Sequence, residues 1–149
     1  MFLLGVISYT RYYEGSIQYP RNIWYNRHMA VIVDLNKTIV KDGQPIAKTI
    51  TYLNSLQEPI YIVSGSHVSK KFEIQRMLLD LGVKYTSLHL NPNDYGDDNE
   101  FKYMMGVALR PIATLAIDNS SKARAKYESL GIKTIHPDDL PDMKSFWSL

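Results

Sequence analysis

Three polar residues stand directly behind short, largely β-branched apolar runs. Asp34 follows Ala30-Val31-Ile32-Val33, Ser64 follows Ile60-Tyr61-Ile62-Val63, and Asp118 follows Thr114-Leu115-Ala116-Ile117. Apolar runs without polar alternation suit strands buried on both faces of a parallel sheet. Ligands of such sheets bind outside the carboxyl ends of the strands, which is where these three side chains belong. Carboxylates there can act as nucleophiles or hold a hard cation. Other chemistries are poorly supplied. The chain has no cysteine, which removes disulfides, thiolate zinc sites and cysteine nucleophiles. His28, His67, His89 and His136 show no ligand spacing. The acidic stretch Asp94, Asp97, Asp98, Glu100 lacks the alternating carboxylates of a calcium loop, and reads as a connection favouring the next helix N-terminus.

The elements that must carry these residues alternate regularly from Met29 onward. A helix is expected from about Pro45, with Ile46, Ile50, Leu53 and Leu56 on one face. After Ser64, Ser66 is placed to cap a helix with Ile74, Met77, Leu78 and Leu81 inward, closed by Gly82. Val83–Leu88 reads as a third strand. A helix with Phe101, Met104, Met105 and Ala108 on its inner side follows a polar loop, and Met77, Met104 and Met105 read as core. Beyond the strand at 114–117, Ala123, Tyr127 and Leu130 mark a helical face closed by Gly131. Lys133-Thr134-Ile135 is a last short strand before a segment carrying Met143, Phe146 and Trp147. Alternation of this kind implies an α/β fold: a three-layer, doubly wound, Rossmann-like sandwich of about five parallel strands with right-handed crossovers.

The motifs resemble those of the haloacid dehalogenase (HAD) superfamily. Asp34-Leu35-Asn36-Lys37-Thr38 resembles its first motif, D-x-D-x-T; Ser64 resembles the second, Lys102 the third, and Asp118-Asn119 the fourth. The markers keep order, with 30, 38 and 16 residues between successive ones. Leu88 to Lys102 and Ala116 to Ile132 are similar to the small branch near the polynucleotide kinase 3′-phosphatase domain. The resemblance spans residues 29–136 and leaves no room for a cap domain.

It implies that Asp34 attacks phosphorus to give an aspartyl phosphate, that Ser64 and Lys102 hold the phosphoryl group, and that Thr38 supports the loop. It also implies Mg²⁺ on the Asp34 carboxylate, the main-chain carbonyl of Asn36 and the fourth motif, Asp118 and Asn119. Three positions depart from the pattern. Asn36 replaces the aspartate that exchanges protons with the leaving alcohol and water, a function worth roughly 10²–10⁴-fold. Asn119 replaces a second acidic residue, and Lys37 stands where glycine is common.

Two functions remain open on these grounds. One is a weakened Mg²⁺-dependent phosphohydrolase acting on a phosphomonoester, either a small molecule or a nucleic-acid end. The other is a catalytically silent module of the same fold that binds a phosphate-bearing ligand or a protein. A receiver-like domain is a third, weaker match, because the paired acids before its first strand are missing.

The chain has 149 residues, 45% hydrophobic and 21% charged, with 17 Lys/Arg against 15 Asp/Glu. That is ordinary for one compact domain, and a net charge of +2 does not suggest nucleic-acid binding across the whole surface. Residues 1–28 form a separate aromatic and basic extension, with Arg11, Arg21 and Arg27 against Glu14, ahead of a domain at 29–149. The extension reads as a local hairpin, or as an arm that contacts nucleic acid, a protein partner or a second copy. Its apolar start is far shorter than the roughly 20 residues of a membrane span. No secretion signal is legible, and a cytoplasmic location without membrane contact is the expectation.

Overall fold

A computed structural model of the protein describes residues 30–92 and 96–143. The extension at 1–28, its boundary at Met29, and Phe146 and Trp147 lie outside the described residues.

Five parallel strands form the central sheet: β1 (Ala30–Val33), β4 (Ile60–His67), β5 (Ser87–Asn91), β6 (Ala113–Ile117) and β7 (Lys133–Ile135). Their spatial order is β5-β4-β1-β6-β7. The helices are α1 (Ala47–Ser55), α2 (Lys71–Asp80), α3 (Asp98–Leu109) and α4 (Ser121–Glu128). Because side chains alternate across a strand, β1 feeds two cores at once. Val31 and Val33 join Ile60, Ile62, Leu53 of α1, and Ile74 and Leu78 of α2. Ile32 points the other way, among Val63, Ala116, Phe101 of α3 and Tyr127 of α4. The result is the expected three-layer α/β sandwich, with helices on both faces of an all-parallel sheet. The order of strands reverses beside β1, where β4 and β5 lie to one side and β6 and β7 to the other.

Several local expectations are corrected. Residues 83–86 are not strand: Val83 packs in the core, and Lys84 N donates to Asn54 Oδ1 at 2.9 Å. These residues are tied to the α1 side of the sheet, so the β5 ladder starts only when Ser87 draws level with Tyr61. Ser66 caps no helix, because β4 runs on to His67 and the His67 ring accepts from Ser69 N at 3.1 Å. On α3 the buried face is Phe101, Lys102 and Gly106, whereas Met104 is 40% exposed and Ala108 lies outside. Turning a lysine inward rotates the helix away from the face that apolar residues alone would choose.

A small antiparallel hairpin was not anticipated: β2 (Val40–Lys41) pairs with β3 (Gln44–Pro45). Asp42 and Gly43 at its tip both have positive φ, 52° and 77°, which suits the Asp-Gly turn of a two-residue hairpin. Gly82 and Gly131, at φ 70° and 83°, end their helices as expected.

Candidate active site

Asp34 continues β1 by donating its N–H to the Ile117 carbonyl at 2.9 Å, and Asp118 is the next residue of β6. Neighbouring strands of one sheet thus end in neighbouring carboxylates, at the point where the strand order reverses. An open α/β sheet leaves its crevice there. Lys102 enters from α3. Its ammonium donates to Asp34 Oδ1 at 3.0 Å and to Asp118 Oδ2 at 2.7 Å. All three residues are buried, with 6%, 1% and 5% exposure for Asp34, Asp118 and Lys102.

Two carboxylates and one ammonium leave a net negative charge in a dry place. Burial, then the Asp118 charge, raise the Asp34 carboxyl to about 6, against the lowering influence of Lys102. Burial works against the Lys102 charge, but the two carboxylates outweigh it and hold the ammonium above its usual range. Tyr127, buried behind the site, has its phenol raised well above the usual range by burial and then by Asp118 and Asp34.

The loop after β1 folds back tightly. Ile39 N and Val40 N both donate to the Leu35 carbonyl, at 2.8 and 3.2 Å, and this returns Thr38 to the strand end. Thr38 Oγ1 donates to Asp34 Oδ2 at 3.2 Å and accepts from Asn119 N at 3.2 Å. Lys37 sits at φ 63°, a left-handed conformation that favours glycine, and its N–H donates to Val40 O at 2.6 Å. Past β6, Ser120 N donates to Asp118 Oδ1 at 2.9 Å while Ser120 Oγ caps α4. Arg124 then anchors the Asp118 carbonyl at 2.9 Å.

The remaining candidates stand beside this cluster. Ser64 is 1% exposed and donates to Ser66 Oγ at 3.1 Å; that oxygen accepts from Asn36 Nδ2 at 3.3 Å. Ser64 therefore connects to the first-motif loop through Ser66, with no hydrogen bond to the carboxylates among the described residues. Gly65, between the two serines, has the Asp98 carboxylate of α3 where a Cβ would be. Asn36 and Ser66 also line a cavity of about 510 Å³ between the hairpin and α2. Leu35, Val40, Ile74 and Met77 give it apolar walls, and Lys37, Lys41 and Lys70 stand around it with Asp42 and Glu73.

The sequence offers Ser66 only as a helix cap, not as the link between Ser64 and Asn36, and gives no sign of the roles of Ser120 and Arg124 or of this cavity. The Asp-Gly pair at 42–43 was the legible signal for the hairpin that walls the cavity. The other three residues act through hydrogen bonds that no short window of sequence contains.

The Asn119 amide nitrogen faces inward and donates to the Asn36 carbonyl at 3.1 Å and to Asp34 Oδ2 at 2.9 Å. Carboxylate and carbonyl oxygens of this kind are the donors a hard cation such as Mg²⁺ prefers. Among the described residues no group of three His, Cys, Asp or Glu side chains is placed to hold a metal ion.

No family model matches the chain, and no curated protein matches it in sequence. Among solved structures, it is similar to a chain of the Pnkp1/Rnl/Hen1 RNA repair complex, with a TM-score of 0.61 and 18% sequence identity. The match covers 72% of this chain and 42% of the other, so this protein spans less than half of that chain's length. No helix among the described residues is long and apolar enough to cross a membrane. At that identity the likeness is one of fold alone, a parallel α/β sandwich.

Proposed function

We propose that the protein is a HAD-like phosphohydrolase that acts on a phosphomonoester at a nucleic-acid end, with Asp34 as nucleophile. The observation that supports it best is the buried Asp34–Lys102–Asp118 cluster at the strand-order reversal. The likeness to a chain of an RNA repair complex favours a nucleic-acid end over a free metabolite.

An Asp34 oxygen forms the bond to phosphorus as the ester oxygen leaves with its electron pair, and water later cleaves the acyl phosphate. At pH 7 a carboxyl titrating at about 6 is ionised by about ten to one, so it is available for attack. Lys102 neutralises the phosphoryl oxygens, and the Ser64 hydroxyl donates to them once released from Ser66. Asn36 cannot give the leaving oxygen a proton, so the departing group must be stable as an anion or take its proton from water. Mg²⁺ held by Asp34, the Asn36 carbonyl, Asp118 and Asn119 would supply charge neutralisation between the carboxylate and the phosphate dianion.

The test is turnover of an activated aryl phosphate in Mg²⁺, where the missing acid matters least. Wild-type protein should release phosphate, and Asp34→Ala should lose the activity by at least about 10³-fold. Equal rates in the two proteins overturn the assignment.

A second reading, a silent phosphate-binding module, is favoured by one feature. Each of the four carboxylate oxygens of Asp34 and Asp118 already has a donor from the protein. Saturable phosphate binding without turnover of the aryl ester over hours selects that reading.

A further inference from the structure

The cavity between the hairpin and α2 shares two of its lining residues with the candidate active site. The Asn36 carbonyl lies 3.1 Å from the Asn119 amide, and Ser66 Oγ lies 3.1 Å from Ser64 Oγ. Whatever is esterified to a phosphate at Asp34 therefore has this cavity beside it. Its volume, about 510 Å³, is that of a small-molecule pocket.

The lining decides between the groups that a phosphomonoester can carry. Leu35, Val40, Ile74 and Met77 are apolar walls, against which the hydroxyls of a sugar or polyol would go unpaired. A nucleobase suits them, since bases pack between aromatic or apolar side chains and are read at their polar edge. Asp42 and Glu73 also line the cavity. Carboxylates only accept hydrogen bonds, so these two oppose a second phosphate inside and suit the amino edge of a base. Lys37, Lys41 and Lys70 have no ion-pair partner within 4 Å among the described residues. A phosphorylated peptide brings no obligatory further anion, whereas a nucleic-acid strand brings a phosphodiester with every nucleotide.

We propose that this cavity is a nucleoside subsite, which takes the base of the terminal nucleotide while its phosphate lies at Asp34. The proposal rests on the nucleic-acid-end function above and adds that the terminal base is bound as well as the phosphate.

The experiment titrates wild-type protein in MgCl₂ with adenosine 3′-monophosphate, glycerol phosphate, phosphotyrosine or inorganic phosphate, and follows the methyl NMR signals. Asn36 supplies no acid, so alkyl esters turn over slowly and the nucleotide persists through the titration. The methyl signals of Val40, Ile74 and Met77 should show ring-current shifts with the nucleotide and none with glycerol phosphate or inorganic phosphate. The nucleotide should bind at least about tenfold more tightly than glycerol phosphate. Met77→Trp, which fills the cavity, should abolish that preference and leave inorganic phosphate binding unchanged. The wild-type methyl shifts decide the matter on their own if the variant does not fold.

Equal affinity for the nucleotide and glycerol phosphate, or methyl signals that do not move, overturns the subsite and leaves the phosphohydrolase to its aryl phosphate test. Tighter binding of phosphotyrosine than of the nucleotide gives the cavity to a protein side chain and overturns the subsite. So does failure of every probe to bind. A preference for the nucleotide in a protein without aryl phosphate turnover supports the subsite and selects the silent binding module.

Discussion

Asn36 and Asp34 make opposite demands on their surroundings. Asn36 is exposed at the mouth of the site, with its amide on Ser66 Oγ at 3.3 Å, so an aspartate fits there without burial. Asn36→Asp should raise turnover of an unactivated alkyl phosphate by at least about 100-fold, the lower end of the 10²–10⁴ range of general acid–base catalysis, and should change an activated aryl ester far less. Steady-state rates on the two esters check this. Asp34 is a buried charge whose neighbours do not fully compensate it. Its carboxyl titrates near 3.8 in the unfolded chain and at about 6 in the folded one, because of burial first and Asp118 second. The folded state therefore holds the proton more tightly, and the fold loses stability as pH rises through that window. Asp34→Asn has no such titration. In EDTA, the stability of the variant relative to wild type should rise between about pH 4 and 6, by no more than about 3 kcal/mol, and stay level above pH 7. Urea unfolding across pH measures it, and a stability of the variant relative to wild type that falls with rising pH contradicts the buried-charge picture.

At the scale of elements, α3 is placed by two contacts one turn apart. Lys102 reaches the strand ends, and Gly106 lets the helix lie against α4. A Cβ at Gly106 would meet Leu130 Cδ1 at 2.8 Å and the Tyr127 ring at 3.1 and 3.3 Å. Neither residue can easily give way, since both are buried in the core shared by the two helices. Gly106→Ala should therefore cost about 1–3 kcal/mol of stability through overpacking, although alanine is the better helix former. It should also reduce turnover, because pushing α3 outward draws Lys102 away from Asp34 and Asp118. Chemical denaturation and the aryl phosphate assay read the two effects separately. On the other side, the 40–45 hairpin and α2 enclose the cavity beside Asn36, so the Asp34–Lys102–Asp118 cluster lies between the close α3–α4 contact and one short ribbon.

Taken as a whole, the molecule is close to neutral, and the cavity is lined by three lysines against two acids, Asp42 and Glu73. Lys37, Lys41 and Lys70 line it and have no ion-pair partner within 4 Å among the described residues. If the ester is at a nucleic-acid end, these lysines are placed to meet the phosphodiesters next to it. Replacing Lys41 and Lys70 with alanine should raise KM for a 3′-phosphorylated oligonucleotide about tenfold at low salt. The salt slope of binding should flatten by about 1–1.5, as expected for two lost phosphate contacts on a single strand. A small aryl phosphate should respond less.

The alternation of strands and helices, the polar residue behind each central strand, and the helix-ending Gly82 and Gly131 were all legible in the sequence. Each is written in a few consecutive residues, as periodicity, β-branching or a left-handed backbone requirement. Four features were decided only by the folded chain: the late start of β5, the inward turn of Lys102, the Ser64–Ser66–Asn36 relay and the facing of the Asn119 amide. Each depends on charges or hydrogen bonds between segments far apart along the chain. Their energy exists only once the sheet has brought β1, β4 and β6 side by side under α3.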